Sequence, residues 1–118
     1  MSVVLLIDDE PEMGSLVNMW LAELGARVVQ VETLDQAIAA GREERVRAIL
    51  LDIALDGEDG LEMLPGLKEE RSLAHAPVIA FSIHDSRRME ALSKGAAGFV
   101  KKPFRAVDLQ QTLSEHLS

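Results

Sequence analysis

Short apolar runs alternate with amphipathic stretches five times along this chain. The runs are Val3–Ile7, Arg27–Val31, Val46–Leu51, Val78–Phe81 and Gly98–Lys101. The first and third runs are nearly continuous in apolar residues, which is typical of central strands covered on both faces. The pattern predicts five β-strands separated by helices.

Signals for helix ends lie between these runs. Pro11 occupies the favoured first helical position, and Thr33 with Gln36 has the spacing of a capping box. Pro65 lacks a backbone donor, so we expect it to kink or shorten the third helix, between residues 60 and 71. Leucines at i, i+4 and i+8 predict the last helix: Leu109, Leu113 and Leu117.

Five strand–helix units in 118 residues predict an α/β fold, a doubly wound parallel sheet with right-handed crossovers and helices on both faces. No linker or low-complexity tract is visible, so we expect a single domain over residues 1–118. In such sheets, polar sites form beyond the carboxyl ends of the strands, where the strand order reverses. The residues at the ends of the apolar runs are therefore the candidates for function.

Composition excludes several classes of protein. The chain has no cysteine, which excludes a disulfide scaffold and a thiolate metal site. Its net charge of −8 argues against direct binding to nucleic acid. The longest apolar run, Val3–Ile7, is far shorter than the ~20 residues that span a bilayer, and acidic residues follow it where a secretory signal needs small ones. We therefore expect a cytoplasmic protein with no membrane contact.

Polar side chains follow four of the five apolar runs. They are Asp8 and Asp9 after the first run, Asp52 after the third, Ser82 after the fourth, and Lys101-Lys102-Pro103 at the end of the fifth. Three carboxylates, one hydroxyl and at least one ammonium are therefore expected to converge on one edge of the sheet.

Such a group of side chains suits phosphoryl transfer to a carboxylate. Like charges a few ångströms apart raise one or more carboxyl pKa values unless a cation balances them. A hard divalent ion, Mg²⁺ or Mn²⁺, meets this need and keeps waters for an incoming phosphate. A lysine and a hydroxyl can each bind a phosphoryl oxygen. A lone Asp at a strand end is usually a turn residue or a helix cap, so the inference depends on the whole set.

These motifs resemble the receiver domain of bacterial two-component response regulators, over essentially the whole chain. The matching segments, in order, are Leu5–Pro11, Leu50–Ile53, Asp59–Glu62, Pro77–Ser82 and Gly95–Phe104. The family fold is a flavodoxin-like (βα)5 domain whose five-stranded parallel sheet has strand order 2-1-3-4-5. The resemblance is strong because five motifs occur in the family's order.

The resemblance implies a phosphorylation-dependent signalling switch. Asp52 would accept a phosphoryl group from the phosphohistidine of a histidine kinase or phosphotransfer protein. Asp8, Asp9, Asp52 and the backbone carbonyl of Ala54 would hold Mg²⁺. We expect no enzymatic activity beyond self-catalysed phosphorylation and dephosphorylation, and no output domain in this chain.

The remaining implied roles concern the ends of the fourth and fifth strands. Lys102, before a cis peptide bond to Pro103, would pair with the phosphoryl group. Lys101 competes on composition, but adjacent side chains of a strand point to opposite faces. Ser82 would move toward the phosphoryl group while the ring of Phe99 turns inward, which repacks the face of the fourth helix, fifth strand and fifth helix. A downstream protein or a second copy of the chain would bind that face.

Some positions depart from the family pattern or tune its rates. Ile83 stands where the family usually has a small residue, and its side chain would narrow access to the site. Asp56 replaces a common proline, which makes the loop after Asp52 acidic and glycine-rich. Ala54 and His84 occupy positions that tune the lifetime of the acyl phosphate in the family.

Three other functions remain open on the sequence alone. A constitutive interaction module that is never phosphorylated agrees with the bulk of Ile83. An aspartyl-phosphate hydrolase needs an Asp-x-Asp pair after the first strand, and Asp8-Asp9-Glu10 lacks that spacing. A flavin-binding electron carrier needs a hydroxyl- and glycine-rich phosphate loop at the same place, and an anionic loop would repel the phosphate.

Overall fold

The computed structural model describes residues 2–117, and the side chain of Leu117, the last leucine of the predicted final helix, lies outside that description. The main strands, β1 to β5, are Ser2–Ile7, Ala26–Val31, Val46–Asp52, Val78–Ser82 and Gly98–Lys101. The helices, α1 to α5, are Pro11–Ala22, Leu34–Glu43, Leu64–Glu69, Arg88–Ser93 and Ala106–Leu117. No helix within residues 2–117 is long and apolar enough to cross a bilayer.

The five strands form one parallel sheet in the order β2-β1-β3-β4-β5. This confirms the predicted doubly wound α/β fold and its strand order. The order reverses between β1 and β3, so the carboxyl ends of these two strands open onto a crevice. Asp52 and Ser82 are the last residues of β3 and β4, rather than the first residues after them.

The sheet separates two apolar cores, because alternate side chains of each strand point to opposite faces. In β1, Leu5 and Ile7 pack on the face covered by α2, α3 and α4, whereas Val4 and Leu6 pack on the face covered by α1 and α5. All four side chains are fully buried. Burial on both faces explains why the sequence of β1 is continuously apolar.

The ends of two helices follow the sequence signals closely. The Gln36 backbone N–H donates to Thr33 Oγ1 at 3.1 Å, and Gln36 Oε1 accepts the N–H of Glu32 at 2.8 Å. This is the predicted capping box, with the return bond shifted by one residue. The third helical segment begins as a 3₁₀ turn over Gly60–Met63, and Pro65 is the second residue of the short α3. An N–H at that position has no intrahelical partner, so the proline shortens the helix without breaking it.

A small hairpin follows β3, and the sequence did not predict it. Ala54–Leu55 pairs antiparallel with Glu58–Asp59, and Gly57 makes the turn with a φ of +73°. Gly60 then returns against the backbone of Asp52, where an added Cβ would overlap the Asp52 carbonyl oxygen. The hairpin therefore closes over the end of β3 at the edge of the crevice.

Candidate functional site

The carboxyl ends of β1 and β3 bring three carboxylates together. Asp8 and Asp9 follow β1, and Asp52 ends β3. One oxygen from each of the three lies within 4.8 Å of the others. Asp8 and Asp52 are buried, and Asp9 is half-buried. The structure therefore has the cluster of carboxylates that the strand ends predicted.

Asp8 has one satisfied and one unsatisfied carboxylate oxygen. Its Oδ1 accepts the backbone N–H of Glu10 at 2.8 Å, whereas its buried Oδ2 has no hydrogen-bond partner among residues 2–117. Burial raises the pKa of Asp8 to about 6, and the charge of Asp52 adds to this effect. A buried oxygen without a partner is costly, and a bound cation would remove that cost.

Asp52 contacts a positive side chain and a backbone amide. Its Oδ1 accepts the N–H of Ala54 at 3.0 Å, and its Oδ2 lies 3.5 Å from Lys102 Nζ. Burial raises the pKa of Asp52, and the charge of Lys102 opposes that rise. The carboxylate is thus buried but partly balanced by charge.

Lys102 is held toward Asp52 by its backbone and by an aromatic ring. The Lys102–Pro103 peptide is cis. The N–H of Lys102 donates to the carbonyl of Ser82 at 2.8 Å, and Nζ lies 4.8 Å from the centre of the Phe81 ring. The neighbouring Lys101 is exposed. Of the two candidate lysines, Lys102 is the one that reaches the carboxylates.

The two residues assigned to the switch lie on β4 and β5. Ser82 is buried, and its Oγ accepts the backbone N–H of His84 at 3.1 Å. The ring of Phe99 is buried beneath the guanidinium of Arg88, at 4.9 Å from Cζ to the ring centre. Arg88 also donates to the Phe99 carbonyl at 3.3 Å and to Asp85 Oδ1 at 3.0 Å. In this structure, the aromatic ring is therefore turned inward and covered by an arginine.

Ile83 lies at the surface beside the site. Its side chain is 57% exposed and lines a groove of about 420 Å³ together with Trp20, Lys102 and Phe104. The rings of Trp20 and Phe104 meet edge to face at 5.9 Å. His84 is exposed, with its backbone bound to Ser82. The effect of Ile83 on the phosphorylation rate stays a prediction.

The acidic loop after Asp52 contacts the metal-binding candidates through its backbone. The N–H of Asp56 donates to Asp9 Oδ2 at 2.7 Å. Asp56 and Ala54 are both exposed, so neither side chain covers the carboxylates. The proline that is common at this position has no N–H, so the aspartate makes a contact that the family's proline cannot.

Two contacts at the site were not predicted from the sequence. Gln30, near the end of β2, donates to the carbonyls of the β1–α1 turn. Arg87, before α4, binds both oxygens of Asp59 at 3.1 and 2.9 Å. The only local signal for Gln30 is its polarity within an otherwise apolar strand end. The sequence predicts the basic pair Arg87-Arg88 on the output face of the fourth helix, but the contact of Arg87 with Asp59 has no local signal, because the two residues are 28 apart in the chain.

Comparison with known proteins identifies relatives that agree on one family. A family model for the response regulator receiver domain matches residues 4–114. The transcriptional regulatory protein KdpE of Mycobacterium tuberculosis is 35% identical over 106 residues, which are 88% of this chain and 46% of that protein. The nitrogen assimilation regulatory protein NtrX of Azorhizobium caulinodans is 36% identical over 107 residues, which are 87% of this chain and 23% of that protein. The chain therefore spans less than half the length of these relatives.

A solved structure has the same fold over nearly all of the chain. It is the receiver domain of sensor histidine kinase PA1611 from Pseudomonas aeruginosa PAO1, described with a magnesium ion coordinated in its active site cleft. The TM-score is 0.83 at 27% identity, and the match covers 98% of this chain and 97% of that one. With the family match over residues 4–114 and the strand order of the sheet, these findings show that the chain belongs to the receiver domain family of two-component response regulators.

Proposed function

We propose that this receiver domain accepts a phosphoryl group on Asp52 from the phosphohistidine of a histidine kinase or a phosphotransfer protein. The observation that carries the proposal is the 3.5 Å approach of Lys102 Nζ to Asp52 Oδ2, beside the carboxylates of Asp8 and Asp9. The lysine can offset the charge of an incoming phosphoryl group, and the other two carboxylates can hold a cation. This set of groups supports phosphoryl transfer better than it supports a purely structural role.

A divalent cation, Mg²⁺ or Mn²⁺, is part of this proposal. Asp8, Asp9 and Asp52 would hold it together with the backbone carbonyl of Ala54. The residues fit such an ion, because all the side-chain ligands are carboxylates and Asp8 Oδ2 is buried with no hydrogen-bond partner in residues 2–117. When bound, the cation supplies positive charge that offsets the charge of the phosphoryl oxygens.

The transfer itself needs few protein groups. A carboxylate oxygen of Asp52 attacks phosphorus, the new O–P bond forms as the N–P bond of the phosphohistidine breaks, and the released imidazole nitrogen takes up a proton from solvent. Lys102 binds a phosphoryl oxygen, while the ring of Phe81 limits the freedom of its side chain. Hydrolysis later returns the carboxylate as water attacks phosphorus. The domain is thus a phosphoacceptor rather than an enzyme that turns over other substrates.

The face of α4, β5 and α5 would be the surface that changes on phosphorylation and that a partner binds. Because Ser82 Oγ accepts a hydrogen bond from His84, its own hydroxyl proton is free to be donated to a phosphoryl oxygen. Movement of Ser82 toward that oxygen changes the packing around Phe99. Phosphorylation thereby shifts the populations of the alternative conformations of this face. A downstream protein or a second copy of the chain would recognise the shifted face, in the cytoplasm and without direct contact to nucleic acid or membrane.

The test is incubation of the protein with MgCl₂ and acetyl phosphate, followed by measurement of the intact mass. We expect one added phosphoryl group in the unaltered protein and none in Asp52→Ala. Asp56→Ala is the matched control, because it removes an exposed carboxylate from the same loop and leaves the acceptor in place. The control should take up one phosphoryl group.

Other outcomes would point to other functions. Uptake by Asp52→Ala at an unchanged rate would assign the acceptor to another residue. A complete lack of uptake in the unaltered protein would favour the unphosphorylated interaction module. Sustained release of phosphate from a small phosphate ester would favour the aspartyl-phosphate hydrolase.

A further inference from the structure

A side chain of the neighbouring strand β2 binds the turn that carries Asp8 and Asp9. Gln30, the penultimate residue of β2, donates from Nε2 to the carbonyl of Asp8 at 2.8 Å and to the carbonyl of Glu10 at 2.9 Å. A primary amide has two N–H donors, so both are used on this turn. The two acceptors flank Asp9 on either side.

The space for this amide is provided by α1. A Cβ added to Gly14 would overlap Gln30 Oε1, so any larger residue at Gly14 displaces the end of the Gln30 side chain. The Glu10 carbonyl also accepts the N–H groups of Met13 and Gly14, at 3.1 and 3.4 Å. Gln30 therefore joins the start of α1, the acidic turn and the edge strand β2 at one point.

We infer that Gln30 is a positioning residue for the metal-binding carboxylates Asp8 and Asp9. The inference rests on the proposed function, in which these carboxylates hold a divalent cation. Three carboxylates within 4.8 Å of one another repel, and without restraint the turn would relax away from Asp52. Fixing the backbone on both sides of Asp9 keeps the ligands in place before the cation arrives. Partners of this kind, which orient metal ligands from outside the coordination sphere, typically contribute about 10- to 100-fold in metal affinity.

A purely structural role for Gln30 is the competing explanation, and Gln110 provides the matched control. Gln110 Nε2 also makes two donations, to the Trp20 carbonyl at 2.8 Å and to Glu23 Oε2 at 2.9 Å. These bonds join α5 to α1 and do not touch the acidic turn. Gln30→Met and Gln110→Met each keep the approximate shape of the side chain and lose both donors.

The first experiment titrates MgCl₂ into each protein by isothermal calorimetry. We expect Gln30→Met to weaken Mg²⁺ binding about tenfold, and Gln110→Met to change it less than twofold. An affinity in Gln30→Met equal to that of the unaltered protein would overturn the inference and leave the proposed function intact. Equal weakening in both variants would also overturn it, because the effect would then be general loosening. No saturable Mg²⁺ binding by the unaltered protein would overturn the proposed metal site, and the inference with it.

The second experiment perturbs the same contact from α1, and one of its two measurements, hydrogen exchange in EDTA, does not need the metal. Gly14→Ala should displace the Gln30 amide, speed amide hydrogen exchange at residues 9 and 10 in EDTA, and weaken Mg²⁺ binding. In a Gln30→Ala background, the same change at Gly14 should cost no further affinity, since the contact is already gone. A full additional loss in the double variant would show that Gly14 acts independently of Gln30, contrary to the inference.

Discussion

At the scale of single residues, the protein keeps charged groups where water cannot reach them. Asp8 is fully buried and Asp52 is 2% exposed, and burial raises the pKa of both. A carboxyl group with a raised pKa binds its proton more tightly in the folded state than in the unfolded state. Without a bound cation, ionisation of these groups therefore lowers the stability of the folded protein.

The pH dependence of stability tests this description. In EDTA, the contribution of Asp8 to the free energy of unfolding should fall as the pH rises from about 4 to about 6, because the folded state must release a proton from Asp8 that the unfolded state has already lost. The fall should level off above that window and amount to at most about 3 kcal/mol for Asp8 alone. Urea unfolding at a series of pH values measures it.

Two aspartate variants identify which carboxyl group causes the slope of the free energy of unfolding against pH. Asp8→Asn should remove the part of the slope that Asp8 contributes, leave the part that Asp52 contributes, and make the metal-free protein more stable at pH 7. Asp108→Asn is the control, because the hydrogen bond from Arg105 lowers the pKa of Asp108 and places its titration below this window. A slope that is unchanged in Asp8→Asn would contradict the assignment.

At the scale of elements, one arginine links the hairpin that follows Asp52 to α4. Arg87 lies in the 3₁₀ turn before α4 and binds both carboxylate oxygens of Asp59. Asp59 also caps the turn that leads into α3, accepting the N–H of Leu61 at 3.1 Å. Arg87 continues to Glu90 within α4, at 2.9 Å. The start of α4 is thus attached to the end of the hairpin that follows Asp52.

Removal of this arginine should loosen two elements at once. We expect Arg87→Gln to lower the free energy of unfolding by about 1 kcal/mol, since the ion pair is partly shielded from water and forms two parallel hydrogen bonds. Amide hydrogen exchange should become faster both in α4 and in the 3₁₀ turn of residues 60–63.

Arg105→Gln is the matched control for this change. Arg105 makes a similar double contact, with Asp108, but only within the first turn of α5 and with a 79% exposed side chain. It should leave the free energy of unfolding almost unchanged, because an exposed ion pair contributes little, and leave exchange elsewhere unaltered. Faster exchange in α4 alone, with none in residues 60–63, would mean that Arg87 does not connect the two elements.

At the scale of the whole molecule, stability depends on the balance of charge. The chain has 20 acidic and 12 basic residues, and three of its carboxylates, Asp8, Asp9 and Asp52, lie within 4.8 Å of one another at one edge of the sheet. A cation that binds only the folded state there stabilises the fold by mass action. The unfolded chain cannot compete, because its carboxylates are spread over more than 40 residues of sequence.

Mg²⁺ should therefore raise the thermal midpoint of the protein. At 100 times its dissociation constant, the expected stabilisation is about 2.7 kcal/mol, which corresponds to a shift on the order of 10 °C for a domain of this size. Differential scanning calorimetry measures the shift, and EDTA should reverse it. NaCl at the same ionic strength controls for simple screening of the net charge and should give a much smaller shift. Equal shifts in both salts would argue against a specific site.

Much of the fold follows from local rules that the sequence carries directly. The five strands were predicted to within one residue at each end, and for β1, β3 and β4 the reason is that a strand buried on both faces is apolar along most of its length. The capping box at Thr33 is local, and so is the shortening of α3 by Pro65. The clustering of Asp8, Asp9 and Asp52 also followed, because the ends of parallel strands meet at one edge.

What the tertiary structure alone decided are the contacts between residues far apart in the chain. Gln30 reaches the carbonyl of Asp8 across 22 residues, and Arg87 reaches Asp59 across 28. The raised pKa of Asp8 belongs to the same class, because desolvation depends on everything that packs around a carboxyl group. The spacing of apolar residues and the positions of strand ends are set by the local geometry of the chain and by the exclusion of apolar side chains from water. Hydrogen-bond partners and buried charges are set by how the finished elements pack, and no short stretch of sequence records that.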